Sequence, residues 1–392
     1  MNPKINVGVF FGGRSVEHEV SIISAMQAIA AMDRAKYNPI AIYMTKDGQM
    51  LTGEGFDVID SYKNLAALRK RGQNVAFLRD GKQVLMLSRN GKVLGTLDVA
   101  LPVAHGTHSE DGAMAGFFDL LNLPYGGCDV YSSAVCMDKS KMKHLLAAAG
   151  INVLPHLTFS GARIAVDGES IVQECEAKFG FPVIVKPNNL GSSVGITIAH
   201  DAQKLRTALE YAARYAELIL VERAVQSIRE INCAVLGDMN HAMASACEQP
   251  MGSDEILSFQ DKYLSGGGKQ KGGSKHAGMA QASREIPANI PAAQTALIKQ
   301  TAVDAFKVLG CSGVARVDFI IDDADGQIYV NEFNTIPGSL AFYLFEAEGL
   351  SFTELVTRLI QLAFKRERAN NALYHTFESN ILENANLNSG KK

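Results

Sequence analysis

The chain has 392 residues, which is enough for two or three domains at roughly 100 to 200 residues each. Hydrophobic residues make up 47% of the sequence and charged residues 20%, and this composition excludes a disordered, collagenous or fibrous protein. The 38 Lys and Arg residues nearly balance the 41 Asp and Glu residues, so the formal net charge of -3 gives no electrostatic reason to expect a nucleic acid or an anionic membrane as a partner.

The first predicted elements are a strand at residues 5–11, a glycine turn and a helix at residues 17–32 whose apolar residues recur at helical spacing. Apolar runs at residues 40–44 and 99–103 continue an alternation of strands and helices that is typical of a mostly parallel sheet. The sequence therefore predicts a Rossmann-like first domain. Between these runs, residues 45–97 contain several Asp-Gly and Asn-Gly turns, which predict hairpins or an inserted cap.

The rest of the chain predicts two further units and a tail. A turn-rich break at residues 124–127 separates two helical patterns and marks the first domain boundary. The elements predicted around and beyond it are helices at residues 111–123, 140–149 and 292–309, and strands at residues 182–187, 194–198, 218–221, 231–236, 315–321 and 328–332. We expect domains at residues 1–127, 128–222 and 223–369, with a frayed tail at residues 370–392.

The six cysteines are scattered, without a CxxC pair or a cluster of Cys and His residues. This pattern predicts neither a zinc site nor a disulfide framework, and it fits a reducing compartment. No stretch of the sequence approaches the roughly 18 apolar residues that a membrane span requires, and residues 1–11 show no cleavage-site pattern. We therefore expect a cytoplasmic protein.

The sharpest chemical cluster lies on the last two predicted strands. Alternation with a period of two puts Arg316 and Asp318 on one face of the first strand, and Glu332 and Asn334 on one face of the second. If the strands pair, two carboxylates and an amide oxygen converge, which suits a divalent cation shared with phosphate. Arg316 beside them is suited to stabilise charge on a transferring group. The alternative is that Asp318 and Glu332 are ordinary strand-end charges.

Three lysines, Lys139, Lys186 and Lys262, are candidates for contact with phosphate. Lys186 ends an apolar strand, and the glycine and serines of residues 191–193 that follow offer backbone amides and hydroxyls to an anion. The alternative for Lys186 is a side chain that reaches solvent from a sheet edge. The alternative for Lys139 is a surface residue at the start of a helix.

Two glycine-rich segments do not match common nucleotide-binding motifs. Gly12 and Gly13 follow a strand but do not form GxGxxG, which argues against a dehydrogenase. Residues 266–275, with the sequence GGGKQKGGSK, never give GxxxxGK followed by Ser or Thr, so they are not a Walker loop. We interpret this second segment as part of a flap.

Six short blocks occur in order along the chain: EHEVS at residues 17–21, HGT and EDG within 105–112, MDK at 137–139, VKP and GSSVG within 185–195, RVD at 316–318 and NEFNTIPG at 331–338. Together they resemble the D-alanine:D-alanine ligases of the ATP-grasp superfamily. Six blocks in order over residues 5–365 are far more specific than any single motif. The resemblance implies an α/β and α+β protein with three-domain ATP-grasp architecture, in which ATP lies between the central and C-terminal domains.

The resemblance also implies roles for residues of these blocks. Glu17 would receive the ammonium group of the first D-alanine, His105 would lie beside that substrate, and Ser192 with Tyr263 would tie the flap to Glu17. The implied ATP contacts are Lys139, Lys186, Ser193, Glu222, Glu230 and Lys262. The implied metal ligands are Asp318, Glu332 and Asn334, and the implied oxyanion donors are Arg316 and a backbone amide near Gly338.

The activity that the resemblance implies is the ATP-dependent joining of two D-alanines through an acyl phosphate, for peptidoglycan precursors. It implies ATP and Mg²⁺ as cofactors, with two metal ions and Mn²⁺ as an alternative metal. Closure of the loop that carries Lys262 and Tyr263 would exclude water from the reactive intermediate. The expected partners are small molecules, with neither nucleic acid nor membrane, and a homodimer is the candidate assembly.

The segment after Gly338 departs from the family pattern. Family members commonly have a Thr- and Ser-rich stretch there, whose hydroxyl meets the carboxylate of the second substrate, whereas SLAFY follows at residues 339–343. Ser339 or Tyr343 could supply that hydroxyl, and an acceptor such as D-serine is the alternative. Tyr263 retains the tyrosine of the dipeptide-forming members, which argues against D-lactate. A nucleotide-binding module without turnover is the remaining alternative.

Overall fold

The computed structural model describes residues 3–191, 194–225, 227–251 and 284–374 of the chain. Its strands form three sheets of seven, four and five strands, which follow one another along the sequence. In this part of the chain, no helix has the length and apolar content needed to cross a bilayer. All six cysteines are buried and free.

The first sheet has a parallel centre and an antiparallel extension. Its strands are β1 (Ile5–Gly12), β2 (Tyr37–Met44), β3 (Met50–Thr52), β4 (Gln73–Asp80), β5 (Gln83–Ser88), β6 (Val93–Leu97) and β7 (Val99–Pro102), in the order β6-β5-β4-β3-β2-β1-β7. Strand β1 pairs in parallel with β2 and β7, as a Rossmann-like unit requires. The associated helices are α1 (His18–Ala31), α2 (Leu65–Arg71) and α3 (Ala113–Leu120), with a 3-10 turn at Ile59–Asn64.

The expectation of a mostly parallel sheet is wrong for this domain. Strands β3 to β6 pair antiparallel and extend the sheet beyond β2, so the hairpins predicted in residues 45–97 are confirmed but do not form a separate cap. The reason is connection length, because a parallel pair needs a crossover of about a dozen residues and the links within this segment from β4 to β6 are much shorter.

Helix α1 begins close to the end of β1 because the turn between them is tight. Gly12 has a φ of 90°, and a Cβ there would lie 2.2 Å from the carbonyl oxygen of Met44, so only glycine fits. Ser21 of α1 accepts a hydrogen bond from the Gly12 amide at 2.7 Å and donates one to the carbonyl oxygen of Val103 at 2.9 Å. These contacts hold the start of α1, where Glu17 is the N-cap residue, against the strand ends.

The second sheet is antiparallel and is covered by helices on one face. Its strands are β8 (His156–Ser160), β9 (Val183–Pro187), β10 (Thr197–Ala199) and β11 (Leu218–Arg223), in the order β10-β9-β11-β8. Of the helices in this part of the chain, α4 (Val130–Met137) and α5 (Lys139–Ala148) pack with the core of the third sheet, described below, whereas α6 (Gly161–Phe179) and α7 (Ala202–Ala212) cover the second sheet. The predicted hairpin of β9 and β10 is confirmed. Val183 and Val185 pack against α6 and α7, so alternation turns Lys186 toward the opposite face.

The third sheet is also antiparallel, with helices packed on both of its faces. Its strands are β12 (Ile228–Gly237), β13 (Ala242–Pro250), β14 (Arg284–Glu285), β15 (Gly313–Asp322) and β16 (Ile328–Asn334), in the order β14-β13-β12-β15-β16, and its helices are α8 (Ala292–Val308), α9 (Phe342–Glu346) and α10 (Phe352–Asn371). Val317 and Phe319 of β15 pack against Phe306 of α8, so Arg316 and Asp318 face the other side of the sheet. The predicted tail from residue 370 overlaps the end of α10, and residues 375–392 lie outside the described part.

Candidate active site

The predicted cation site is assembled by the pairing of β15 and β16. The two strands are antiparallel, with Asp318 opposite Glu332 and Arg316 opposite Asn334, so all four side chains share one face. Arg316 donates from Nε and Nη2 to the two oxygens of Asp318 at 2.6 and 2.7 Å, and Asn334 Nδ2 donates to Asp318 Oδ2 at 3.0 Å. The pairing of the two strands and the shared face predicted from the sequence are confirmed. The role of these side chains as metal ligands stays a prediction.

The donor set fits a hard cation such as Mg²⁺. Two carboxylates and an amide group supply only oxygen ligands, which is the chemistry that Mg²⁺ and Mn²⁺ prefer. Across the described ranges, no three or more His, Cys, Asp and Glu side chains cluster for a metal, and the predicted set here has only two carboxylates beside the amide of Asn334. Asp318 already binds Arg316 through both oxygens, but a carboxylate has about four lone-pair positions and can serve a guanidinium and a cation together.

Lys139, one of the predicted phosphate contacts, lies against this site. It is the first residue of α5 and is 7% exposed, so the interpretation as a surface lysine is wrong. Its Nζ donates to the carbonyl oxygen of Leu190 at 2.7 Å and lies 3.3 Å from Glu332 Oε2. A lysine at the start of α5 and a carboxylate of the third sheet therefore meet directly, with the loop after β9 on their other side.

Lys186 belongs to a buried network of charges. Glu222 is completely buried, one of its oxygens accepts from Lys186 Nζ, and the other accepts from Lys143 Nζ at 2.9 Å. Lys186 Nζ also donates to Asn331 Oδ1 at 3.2 Å. Strand β9 lies between β10 and β11, so the interpretation of Lys186 as a lysine at a sheet edge is wrong.

The charges of this network support each other. Burial alone would raise the pKa of the Glu222 carboxyl, but Lys143 and Lys186 outweigh burial and lower it to about 2. Burial lowers the pKa of Lys143, and Glu222 opposes that effect. Contact of Glu222 and Glu230 with the adenosine part of ATP stays a prediction. Glu230 lies half-buried on β12.

The predicted amino-acid end of the site lies where α1 meets the segment after β7. Glu17 is 8% exposed, and a Cβ on Gly106 would come within 3.1 Å of Glu17 Oε2, so the glycine lets backbone and carboxylate approach closely. His105 and Glu110 flank the same carboxylate closely enough for electrostatic interaction. A cleft of about 420 Å³ opens here, between Glu17 on one side and Leu190 and its neighbours on the other.

His105 and Glu110 hold the loop that carries Gly338. Because a carbonyl oxygen only accepts, His105 donates from Nδ1 to the Ile336 oxygen at 2.6 Å, which leaves Nε2 to accept from Ser24 at 2.9 Å. Glu110 Oε1 accepts from the Ile336 amide at 2.9 Å. Burial lowers the pKa of His105 below its usual 6.5, so the ring is neutral. Burial, together with Glu17, raises the pKa of Glu110 to about 8.

The far end of this loop is held and strained. The Ser339 amide donates to Ser24 Oγ at 2.8 Å. Ser339, Leu340 and Ala341 all have φ between 51° and 54°, a left-handed turn that costs about 1 kcal/mol or more per non-glycine residue. Such strain is typical of functional sites. Within the described part of the chain, the buried Ser339 Oγ has no hydrogen-bond partner, as expected of a group that serves a ligand.

Tyr343, the other predicted acceptor residue, is held by contacts with two other side chains. Its hydroxyl donates to Glu248 Oε1 at 3.3 Å, and the guanidinium of Arg284 lies 4.3 Å from the centre of its ring. Burial raises the pKa of Tyr343 far above its usual 10.0, so the hydroxyl stays protonated. The predictions for Ser192, Ser193, Lys262 and Tyr263 fall outside the described residues.

Several residues of this site were missed from the sequence. Lys143 follows Lys139 by four residues on a predicted helix, and this spacing puts both on one face, so it could have been found. Glu110 lies within the quoted EDG block. Glu248 and Arg284 gave no signal, because they are far apart in sequence and only the sheet brings them together.

Comparison with known proteins identifies the family. A family model described as D-ala D-ala ligase N-terminus matches residues 6–128, and one described as D-ala D-ala ligase C-terminus matches residues 145–361. The D-alanine–D-alanine ligase of Thermosipho melanesiensis is 35% identical over 379 residues, with 97% of this chain and 98% of that protein covered. D-alanine–D-alanine ligase A of Salmonella typhimurium is 37% identical over 381 residues, with 95% and 99% covered.

Solved structures agree with this result. The D-alanine-D-alanine ligase from Coxiella burnetii has a TM-score of 0.79 and 30% identity, with 94% of this chain and 96% of that chain covered. The VanG D-Ala:D-Ser ligase from Enterococcus faecalis has a TM-score of 0.77 and 30% identity, with 92% and 100% covered. With these matches over nearly its whole length, the chain belongs to the D-alanine–D-alanine ligase family and has the three-domain ATP-grasp fold.

Proposed function

We propose that this chain joins two D-alanines at the expense of ATP, giving D-alanyl-D-alanine, ADP and phosphate for peptidoglycan precursors. The observation that supports this most directly is the 3.3 Å contact between Lys139 Nζ and Glu332 Oε2. This contact brings the ammonium group of Lys139, a candidate phosphate ligand, to the candidate metal-binding carboxylates. Both lie beside the loop that carries Gly338. A phosphoryl group and a substrate carboxylate can therefore meet in one cleft.

The reaction needs ATP because a carboxylate is a poor electrophile, since its charge repels nucleophiles and its oxygen leaves badly. In the first step an oxygen of the first D-alanine carboxylate attacks the γ-phosphorus, and ADP leaves. In the second step the amine of the second D-alanine attacks the carbonyl carbon of the acyl phosphate and gives a tetrahedral intermediate. That intermediate expels phosphate, and the amine nitrogen loses its proton as the amide forms.

The oxygen ligands Asp318, Glu332 and Asn334 would hold magnesium, in two ions, with manganese as a substitute. Bound there, the metal would neutralise phosphate charge. Lys139 and Lys186 add fixed positive charge for the same phosphates, and Glu222 keeps Lys186 in position. The remaining assigned ATP contacts, Ser193, Glu230 and Lys262, are part of this proposal.

At the amino-acid end, Glu17 would bind the ammonium group of the first D-alanine. Arg316 and the Gly338 amide would stabilise the oxyanion of the tetrahedral intermediate. The contacts of His105 with Ile336 and Ser24 support this assignment, because they fix the loop in advance of the reaction. We further propose that Ser192 and Tyr263 link a closing flap to Glu17, which would protect the acyl phosphate from water.

A phosphate-release assay tests the proposal. We expect phosphate only when ATP, Mg²⁺ and a D-amino acid are all present, and the product mass identifies the acceptor among D-alanine, D-serine and D-lactate. Nucleotide binding without phosphate release across that panel would support a module without turnover instead. D-serine is the second candidate acceptor, because residues 339–343 differ from the family pattern and the similar VanG protein is described as a D-Ala:D-Ser ligase.

We also propose a division into domains at residues 1–127, 128–222 and 223–369, action on small molecules in the cytoplasm, and assembly as a homodimer. The scattered free cysteines support the reducing compartment. The mass of the protein in solution, measured by light scattering, tests the dimer: we expect about twice the 42.2 kDa of one chain.

A further inference from the structure

A row of polar side chains, which includes two of the candidate metal ligands, extends across the third sheet. Glu332 pairs with Asp318, Asp318 with Asn232, and Asn232 with Glu248, so these four residues cross four neighbouring strands on one face. Neighbouring strands lie about 4.8 Å apart, so Glu248 is roughly 10 Å from Asp318 along the row. Glu248 therefore lies on the same face of the sheet as the candidate metal ligands, two strands away from Asp318.

Glu248 is the centre of a buried cluster at the end of this row. It is 3% exposed and accepts hydrogen bonds from Asn232 Nδ2 at 2.9 Å and from the Tyr343 hydroxyl at 3.3 Å. Its second oxygen pairs with Arg284 Nη1 at 3.0 Å. Arg284 in turn stacks on the ring of Tyr343, at 4.3 Å from the ring centre. Glu248 and Tyr343 together fix the plane of the Arg284 guanidinium.

The cluster lies on the acceptor side of the site. Tyr343 is in the first turn of α9, which directly follows the 3-10 turn at Gly338–Ala341. Arg284 lies over the Tyr343 ring, and both Arg284 and Arg316 are close enough to Tyr343 to affect its ionisation. A guanidinium has five N–H donors in a planar fork that matches a carboxylate, and a fixed guanidinium binds one with less loss of entropy.

We propose that Arg284, fixed by Glu248 and Tyr343, binds the carboxylate of the acceptor amino acid and makes the enzyme select acceptors that carry a free α-carboxylate. This inference rests on the proposed ligase function and adds the recognition element for the second substrate. Glu248 is a positioning residue, because it acts on the acceptor through Arg284. The Tyr343 hydroxyl is engaged by Glu248, so its part is to support Arg284 rather than to replace the family's hydroxyl.

A competition between D-alanine and D-alaninamide tests this proposal. The amide has no carboxylate to phosphorylate, so it can act only as an acceptor, and the two products differ in mass. With the wild-type protein, we expect kcat/KM for D-alaninamide to be at least tenfold below that for D-alanine as acceptor. Arg284→Gln should lower kcat/KM for D-alanine as acceptor about tenfold or more, and change that for D-alaninamide less than twofold.

Two further variants refine the assignment. Arg284→Lys keeps the charge but loses the fork, so it should give a smaller loss in the same direction. Glu248→Gln should raise the KM of acceptor D-alanine more than it lowers kcat, because it frees Arg284 without removing it. The matched control is Glu348→Gln, the same substitution in an ion pair with Lys299 at the surface. It should leave kcat/KM for both acceptors unchanged.

Trapping the acyl phosphate with hydroxylamine separates this inference from the proposed function. Hydroxamate formation needs only ATP and the first D-alanine, so it should be the same in wild type, Arg284→Gln and Glu248→Gln. A wild-type protein that forms no hydroxamate would refute the ligase function itself. With hydroxamate formed, equal loss of both products in Arg284→Gln, or no preference of wild type for D-alanine over D-alaninamide, would overturn the role of Arg284.

Discussion

Replacing Glu222 by glutamine should destabilise the protein far more than a surface substitution of the same kind. The side chain keeps its shape and one oxygen acceptor, but Lys143 and Lys186 lose the only carboxylate that contacts both of them among the described residues. Removal of one partner from a buried ion pair costs about 3 to 5 kcal/mol, because the remaining charge is left uncompensated.

The pKa of Glu222 gives an independent magnitude. Its lowering from 4.5 to about 2 corresponds to about 3 kcal/mol, at about 1.4 kcal/mol for each tenfold change in the dissociation constant. Since the folded-state pKa is depressed, this contribution is fully present above about pH 4.5 and is lost as the pH falls toward 2. The difference in the free energy of unfolding between wild type and Glu222→Gln should therefore shrink over that range.

Urea denaturation without nucleotide measures the effect. The control is Glu174→Gln, which removes the exposed ion pair with Arg163 and should cost less than about 1 kcal/mol. Adding Lys143→Met to Glu222→Gln should recover part of the loss, because it removes a buried cation that has no counterion. A cost for Glu222→Gln no larger than that for Glu174→Gln would refute the account of the network.

Three further predictions concern the amino-acid end of the site. Glu17→Ala should weaken the binding of the first D-alanine more than that of ATP in calorimetric titrations, and equal weakening would contradict its assignment. Ser24→Ala removes the hydrogen bonds to His105 and Ser339, which should displace the loop that carries Gly338. We expect kcat to fall about tenfold while the KM for ATP stays unchanged. An unchanged kcat would show that the loop does not need this contact. Because burial raises the pKa of Glu110 to about 8, its contribution to stability falls as the pH rises from about 4.5 to about 8. Glu110→Gln should remove this part of the pH dependence in thermal unfolding, and identical pH profiles would count against it.

The sequence was sufficient for the parts of the fold that depend on local periodicity. The strand, glycine turn and helix at the start of the chain and the facing of Arg316 and Asp318 follow from spacing alone. The sequence did not predict that the hairpins of residues 45–97 extend the first sheet, because this depends on which sheet edge the hairpins join. Periodicity describes one strand and carries no information about its neighbour.

The residues of the candidate site likewise fall into those that the sequence predicted and those that it did not. Asp318 and Glu332 were found because each lies in a recognisable block, and their register could be guessed from alternation. The partners of Lys186 and the cluster around Glu248 could not be predicted, because they depend on long-range pairing and on burial. A buried lysine and a surface lysine look alike in sequence, and only the counterion, which here comes from another strand, distinguishes them.

The most direct test of the central claim, that the ends of β15 and β16 bind a divalent cation together with a nucleotide, is Mn²⁺ binding measured by electron paramagnetic resonance with a non-hydrolysable ATP analogue. Wild type should bind Mn²⁺ in the presence of the analogue. Glu332→Ala should weaken that binding at least tenfold and abolish turnover while its circular dichroism spectrum is unchanged. The control Asp323→Asn, in an ion pair with Arg229 beyond the opposite end of β15, should behave as wild type. Wild-type Mn²⁺ affinity and turnover in Glu332→Ala would contradict the claim.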